Sequence, residues 1–240
     1  MNTMTIVVIS IFIIFIILGF TRGLVKSVLK LVITGVALLL AYYLAPVLSD
    51  VVIEKTVVDD YITEKVKVGV ENIIDGENID MPTRNEQIDF INELQIPDYL
   101  KEALIENNND EFMAEIGTVD FYTYISRYLS LAITNALAFA LIFTMAVILL
   151  NIIAIALQIV AKLPIVGSVN KVGGAIFGLL EALVVVWIMF VFIALLTTND
   201  VVISLYDQIN ESPFLKMLYD NNILMNLVTD MDKLVSQKQN

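Results

Sequence analysis

The first hydrophobic block, residues 4–20, holds 17 uncharged residues, mostly Ile, Val, Leu and Phe. At 1.5 Å per residue a helix of that length just reaches across a hydrocarbon core of about 30 Å. Arg22, Lys26 and Lys30 then punctuate a turn around Gly23, and a second uncharged block, 31–48, ends near Pro46. Together the two blocks predict a helical hairpin. A third block, 129–161, runs 33 residues without a charge. That is more than a perpendicular helix needs, so the pattern predicts a helix that tilts or extends into the interface. A polar turn with Lys162, Pro164, Gly167, Asn170 and Lys171 leads to a fourth block, 172–196, whose only charge is Glu181. From Thr197 onward Leu215, Leu218, Ile223, Leu224, Leu227 and Val228 alternate with Lys216, Asp220, Asp230 and Lys233. This alternation predicts one or two short amphipathic helices at the membrane surface or against the segment that separates the hairpins.

That separating segment has a different character. Residues 49–127 carry 19 acidic and six basic side chains, which accounts for all of the chain's net charge of −12. Val51, Val52, Ile53, Val57, Val58, Ile62 and Val66 still recur at helical spacing, so the segment is expected to fold as helices. Pro82, Thr83 and Glu86 read as a capping box opening one helix, Pro97 and Asp98 as the start of another, and residues 107–110 as a loop. The expected layout is a first transmembrane hairpin over 1–48, an acidic helical segment over 49–128, a second hairpin over 129–196 and an amphipathic tail over 197–240. The fold class is therefore an all-α integral membrane protein with about four transmembrane helices.

Composition narrows the chemistry. Hydrophobic residues make up 58% of the chain, above the share of soluble domains, so lipid is the expected solvent. With neither His nor Cys, zinc and thiolate sites, thiol nucleophiles, histidine bases and disulfides are all excluded. No glycine-rich nucleotide loop and no calcium-loop spacing occurs, so neither cofactor nor metal is expected, and the chain reads as a non-enzyme. The acidic balance argues against nucleic acid as a partner. The amino-terminal block lacks the preceding cations and small-residue cleavage site of a signal peptide, and is expected to be retained as a helix.

Basic residues set the expected orientation. The first turn holds three basic residues and no acid, and the second, 162–171, holds two and no acid. Short loops of this kind stay cytoplasmic, which puts both termini and the acidic segment outside. The inverted arrangement would leave both basic turns outside.

Two constellations mark a candidate intramembrane site. On the third block Ala140, Thr144, Asn151, Ala154, Gln158 and Ala161 fall on one helical face, suited to close packing between helices or to lining a polar path. Residues 19–28 and 174–183 can be laid side by side, matching Gly19 with Gly174, Gly23 with Gly178, and Lys26 with Glu181. Each segment carries a GxxxG spacing, and the match suggests a parallel repeat of two hairpins. An unpaired carboxylate at mid-membrane costs about 2.5–3.5 kcal/mol on the insertion scale. Glu181 is therefore expected either to pair with Lys26 or to stay neutral and hydrogen-bonded to Asn151 or Gln158.

The residues just named carry a family resemblance. The amino-terminal helix followed by Gly19, Arg22, Gly23, Leu24, Val25 and Lys26 resembles the colicin V production protein (CvpA) family of bacterial membrane proteins. So do the segment from Leu163 through Gly167, Gly173, Gly174, Gly178 and Glu181, and the Ser212-Pro213-Phe214 tail. The likeness covers 4–48 and 129–228. It implies a multi-pass protein of the bacterial cell membrane linked to colicin V production and envelope homeostasis, without established enzymatic activity. Longer relatives carry an extracytoplasmic serine protease domain, which a chain without His is not expected to possess. On this basis the leading expectation is a factor supporting toxin production or export and envelope homeostasis. Membrane lipid and a membrane-protein partner or further copies of the chain would be what it binds. The alternative is a small oligomeric transporter or channel, with Glu181, Lys26, Asn151 and Gln158 lining the path.

Overall fold

A computed structural model describes residues 2–73, 83–94, 96, 98–156, 167–195 and 200–225. The chain runs through α1 (Thr3–Arg22), α2 (Leu24–Lys55), α3 (Val58–Ile73), α4 (Arg84–Glu93) and α5 (Asp98–Glu106). It continues through α6 (Asp110–Glu115), α7 (Phe121–Ala156), α8 (Gly167–Leu195), α9 (Asp200–Glu211) and α10 (Pro213–Asp220). No strand occurs among the described residues. α1, α2, α7 and α8 are long and apolar enough to cross a membrane, so the protein is an all-α multi-pass membrane protein.

The chain divides into two compact units, one of Met1–Ala45, Phe139–Val191 and Asp207–Met225, the other of Pro46–Ala138, Phe192–Tyr206 and Asn226–Asn240. In the first unit α1 opens on Asn2, whose side-chain oxygen accepts the Thr5 N–H at 2.9 Å. It closes at Gly23, whose φ of 81° suits a residue without Cβ. α2 starts immediately afterwards and buries Ile33 and, along the same stripe, Ala37, Ala41 and Ala45, small residues that allow a neighbouring backbone to approach. The stop expected near Pro46 does not occur, and α2 runs on to Lys55 with the proline inside it. A proline costs the helix one hydrogen bond, which a helix supported by packing tolerates.

The second unit contains the acidic helices and has a core of its own. Ile62, Val66 and Val70 of α3, Phe90 and Ile91 of α4, Leu100 and Leu104 of α5 and Phe112 of α6 are buried. So are Tyr124, Ile125 and Tyr128 of α7. The expected capping box is present: Thr83 accepts from the Glu86 N–H, and the Glu86 carboxylate accepts from the Thr83 N–H at 3.1 Å. Pro82 and Pro97 lie outside the described residues. Arg84 donates to the carbonyls of Ile105 and Asn108 at the end of α5, where unpaired carbonyls collect negative partial charge.

α7 begins at Phe121, eight residues before the uncharged block predicted it. The sequence pattern broke at Arg127, but that cation is neutralised in place, its Nη1 2.6 Å from Asp59 and 3.3 Å from the Thr63 hydroxyl. Asp120 caps this helix, accepting from the Thr123 N–H and hydroxyl at 2.9 and 2.6 Å. Partial burial pushes its carboxyl up, but the bonds from Thr123 and Tyr122, with the Lys67 charge, outweigh that and hold it below the usual carboxylate range.

Candidate intramembrane site

The site is built where α1 and α8 cross. A Cβ on Gly19 would fall on the Gly174 carbonyl and 2.9 Å from the Gly178 Cα. One on Gly174 would strike the Gly19 carbonyl and approach the Gly23 Cα to 2.8 Å, and one on Gly178 would strike the Phe15 carbonyl. Both GxxxG segments therefore meet each other, and only residues without side chains allow so close an approach. Phe15 lies against Gly178 and Gly23 against Asn170, so the two helices run antiparallel. Gly167, Asn170 and Lys171, expected in a polar turn, open α8 instead, and this start of α8 shares one end of the first unit with the α1–α2 junction. Asn170 joins them through its side-chain oxygen, which accepts from the Val25 N–H at 3.4 Å.

Glu181 sits one helical turn beyond Gly178 and is buried. Its Oε2 accepts from Arg22 Nη1 at 3.2 Å, and its Oε1 lies 3.8 Å from Lys30 Nζ. Lys26, the expected partner, makes no ion pair with Glu181 among the described residues. Arg22 ends α1 and Lys30 follows on the second turn of α2, so the break at Gly23 brings cations from both helices onto one carboxylate, an arrangement that linear spacing does not display. The hydrogen-bonded rival is not formed with Asn151 either, whose Nδ2 donates to its own helix at the Val147 carbonyl, 2.7 Å away. Gln158 lies outside the described residues, as do Ala161, Lys162, Pro164 and the tail beyond Met225.

Replacing Glu181 with Ala leaves two cations facing apolar helices. Because Arg22 and Lys30 keep 27% and 40% of their side-chain surface exposed, the expected loss is roughly 2 kcal/mol, less than the 3–5 kcal/mol of a fully buried pair. Thermal unfolding in detergent should show the loss, and the swap of Arg22→Glu with Glu181→Arg should recover at least half of it.

The α7 seam is shifted from its expected position. Ala146 and Ala154 are buried, Ala140 and Asn151 are half-buried, and Thr144 is exposed, so packing follows residues 139, 146 and 154 and leaves Thr144 aside. The tail also joins this unit. Trp187 Nε1 donates to the Leu218 carbonyl at 3.0 Å, Asn222 donates to the Trp187 carbonyl at 2.9 Å, and Asn2 donates to the Gln208 carbonyl at 2.6 Å. The start of α1 and the second half of α8 thus share the tail. Sequence spacing gave no sign of the Asp59–Arg127 pair, whose members lie 68 residues apart.

Comparison with known proteins agrees with this architecture. The family model described as colicin V production protein matches residues 4–70 and 112–222. The chain belongs to the colicin V production protein family. Family membership reaches further into the acidic segment than the sequence resemblance suggested, taking in most of α3 and most of α6, and the unmatched stretch 71–111 contains α4, α5 and the first two residues of α6. Within the curated proteins, the chain is 31% identical over 115 residues to an uncharacterized transmembrane protein, YshB, of Bacillus subtilis (strain 168). That match covers 45% of this colicin V production family member and 63% of the relative, less than two thirds of its length. No solved structure matches the chain.

Proposed function

We propose that the protein is a non-enzymatic membrane factor that supports toxin production or export and envelope homeostasis by binding other membrane proteins. The observation that supports this reading is the internal satisfaction of the charged side chain in the bilayer. Glu181 is held by Arg22 and Lys30 beside a glycine crossing, which makes it part of the framework that joins two helices. The acidic helical unit, with a core of its own, then offers a folded surface for partners. The basic turns lie in the cytoplasm, and the acidic segment and both termini lie outside.

Cysteine labelling tests the orientation, since the chain has no native cysteine. Ser168 and Glu111 are both exposed. In intact cells an impermeant maleimide is expected to modify the Glu111→Cys variant and to spare Ser168→Cys until the membrane is permeabilised; the reverse pattern refutes the orientation. Reconstituted liposomes separate the scaffold from a conducting path. A scaffold gives no proton or ion flux above empty vesicles, whereas flux abolished by Glu181→Gln would establish the transporter.

A further inference from the structure

We propose that the basic end of the membrane unit, around Arg22, Lys26, Lys30 and Lys171, binds the phosphate of an anionic phospholipid headgroup. The charges there do not balance. Arg22, Lys26 and Lys30 lie within three turns of one another on α1 and α2, and Lys171 joins them because the glycine crossing sets Gly23 against Asn170. Against these four cations the described residues supply one carboxylate, Glu181, which is engaged by Arg22 and Lys30. Lys26 has no carboxylate partner among the described residues. Lys171 is exposed and rests its Nζ 5.8 Å from the centre of the Phe20 ring.

An excess of fixed positive charge at the edge of the hydrocarbon draws anions, and basic pockets between transmembrane helices favour phosphate-bearing lipid heads. The neighbouring surface favours the lipid over free phosphate. Ile17 and Phe20 on α1 and Val32 and Val36 on α2 are apolar and exposed, 55%, 44%, 55% and 40% respectively. Acyl chains cover such residues and a free phosphate ion does not. The Glu181 pairs hold Arg22 and Lys30 in position, and Lys26 and Lys171 supply the unmatched charge.

The test uses the full chain purified in an uncharged detergent, with thermal unfolding followed as phosphatidylglycerol, phosphatidylcholine or inorganic phosphate is added. Phosphatidylglycerol is expected to raise the unfolding midpoint by several degrees, and the other two at matched concentration are expected to leave it unchanged. The double variant Lys26→Gln/Lys171→Gln should need on the order of tenfold more phosphatidylglycerol for the same shift. Native mass spectrometry gives a reading independent of unfolding, in which the double variant retains correspondingly less phosphatidylglycerol per chain. An equal response to phosphatidylcholine, an equal response to inorganic phosphate, or undiminished retention in the double variant would each overturn the site. Neither measurement depends on which side of the membrane the turns occupy.

Discussion

Gly174→Leu is expected to disrupt the membrane unit, lowering stability by about 3 kcal/mol or more, the upper range for forcing volume into a packed interface. The reason is geometric. The first carbon of any side chain at this position lands on the Gly19 carbonyl and presses on the Gly23 backbone, and backbone cannot turn aside as a flexible side chain can. Separation of α1 from α8 would also draw Arg22 away from Glu181. The measurement is the unfolding midpoint in detergent beside the yield of monodisperse protein. Gly35→Ala is the control, because nothing lies within 4 Å of a Cβ there. It is expected to be neutral, or to stabilise α2 by up to about 1 kcal/mol through helix propensity. If Gly174→Leu unfolds at the same temperature as Gly35→Ala, the close crossing does not exist.

Asp59→Ala is expected to cost about 3 kcal/mol, because it strands a cation inside the acidic unit. Arg127 and Asp59 meet at 2.6 Å with 19% and 8% of their side chains exposed, a more enclosed pair than that of Glu181. What is lost is largely the penalty of leaving Arg127 unpaired. The double replacement Asp59→Leu/Arg127→Leu should therefore recover most of the stability, since apolar residues of similar volume often substitute for a buried ion pair. Unfolding midpoints of the three variants check this, and a double variant no better than Asp59→Ala would show that the pair does more than balance charge.

These two sites mark what the sequence made legible. Uncharged blocks reveal membrane helices because a helix satisfies its backbone groups internally, while its side chains face hydrocarbon for about 20 residues and so must be mostly apolar. The glycines were visible as spacings, but laying residues 19–28 beside 174–183 described a parallel repeat, and the alignment carries nothing about the antiparallel crossing in which those glycines meet. It gave Glu181 the wrong cation, because an alignment of two segments carries no account of how the chain turns at Gly23. The same limit concealed Asp59, one acid among many, and made Arg127 look like the end of a helix when it lies inside one. Pro46 misled in the opposite direction, since a local rule about hydrogen bonding was overridden by packing. Thr144 fell on the exposed side because its hydroxyl was read from spacing alone, whereas burial on α7 follows Phe139, Ala146 and Ala154.

The tie between Asn2 and Gln208 spans 206 residues, and the α1–α8 contact spans more than 150. Ribosomes add about 5–20 residues per second, so the opening segment waits on the order of ten seconds or longer before its counterpart is made. During that interval Arg22 sits at the lipid boundary without its acid, and the glycine stripe has no mate. Assembly is thus one of the last events of biogenesis, and chains released early would hold an incomplete bundle exposed to membrane proteases.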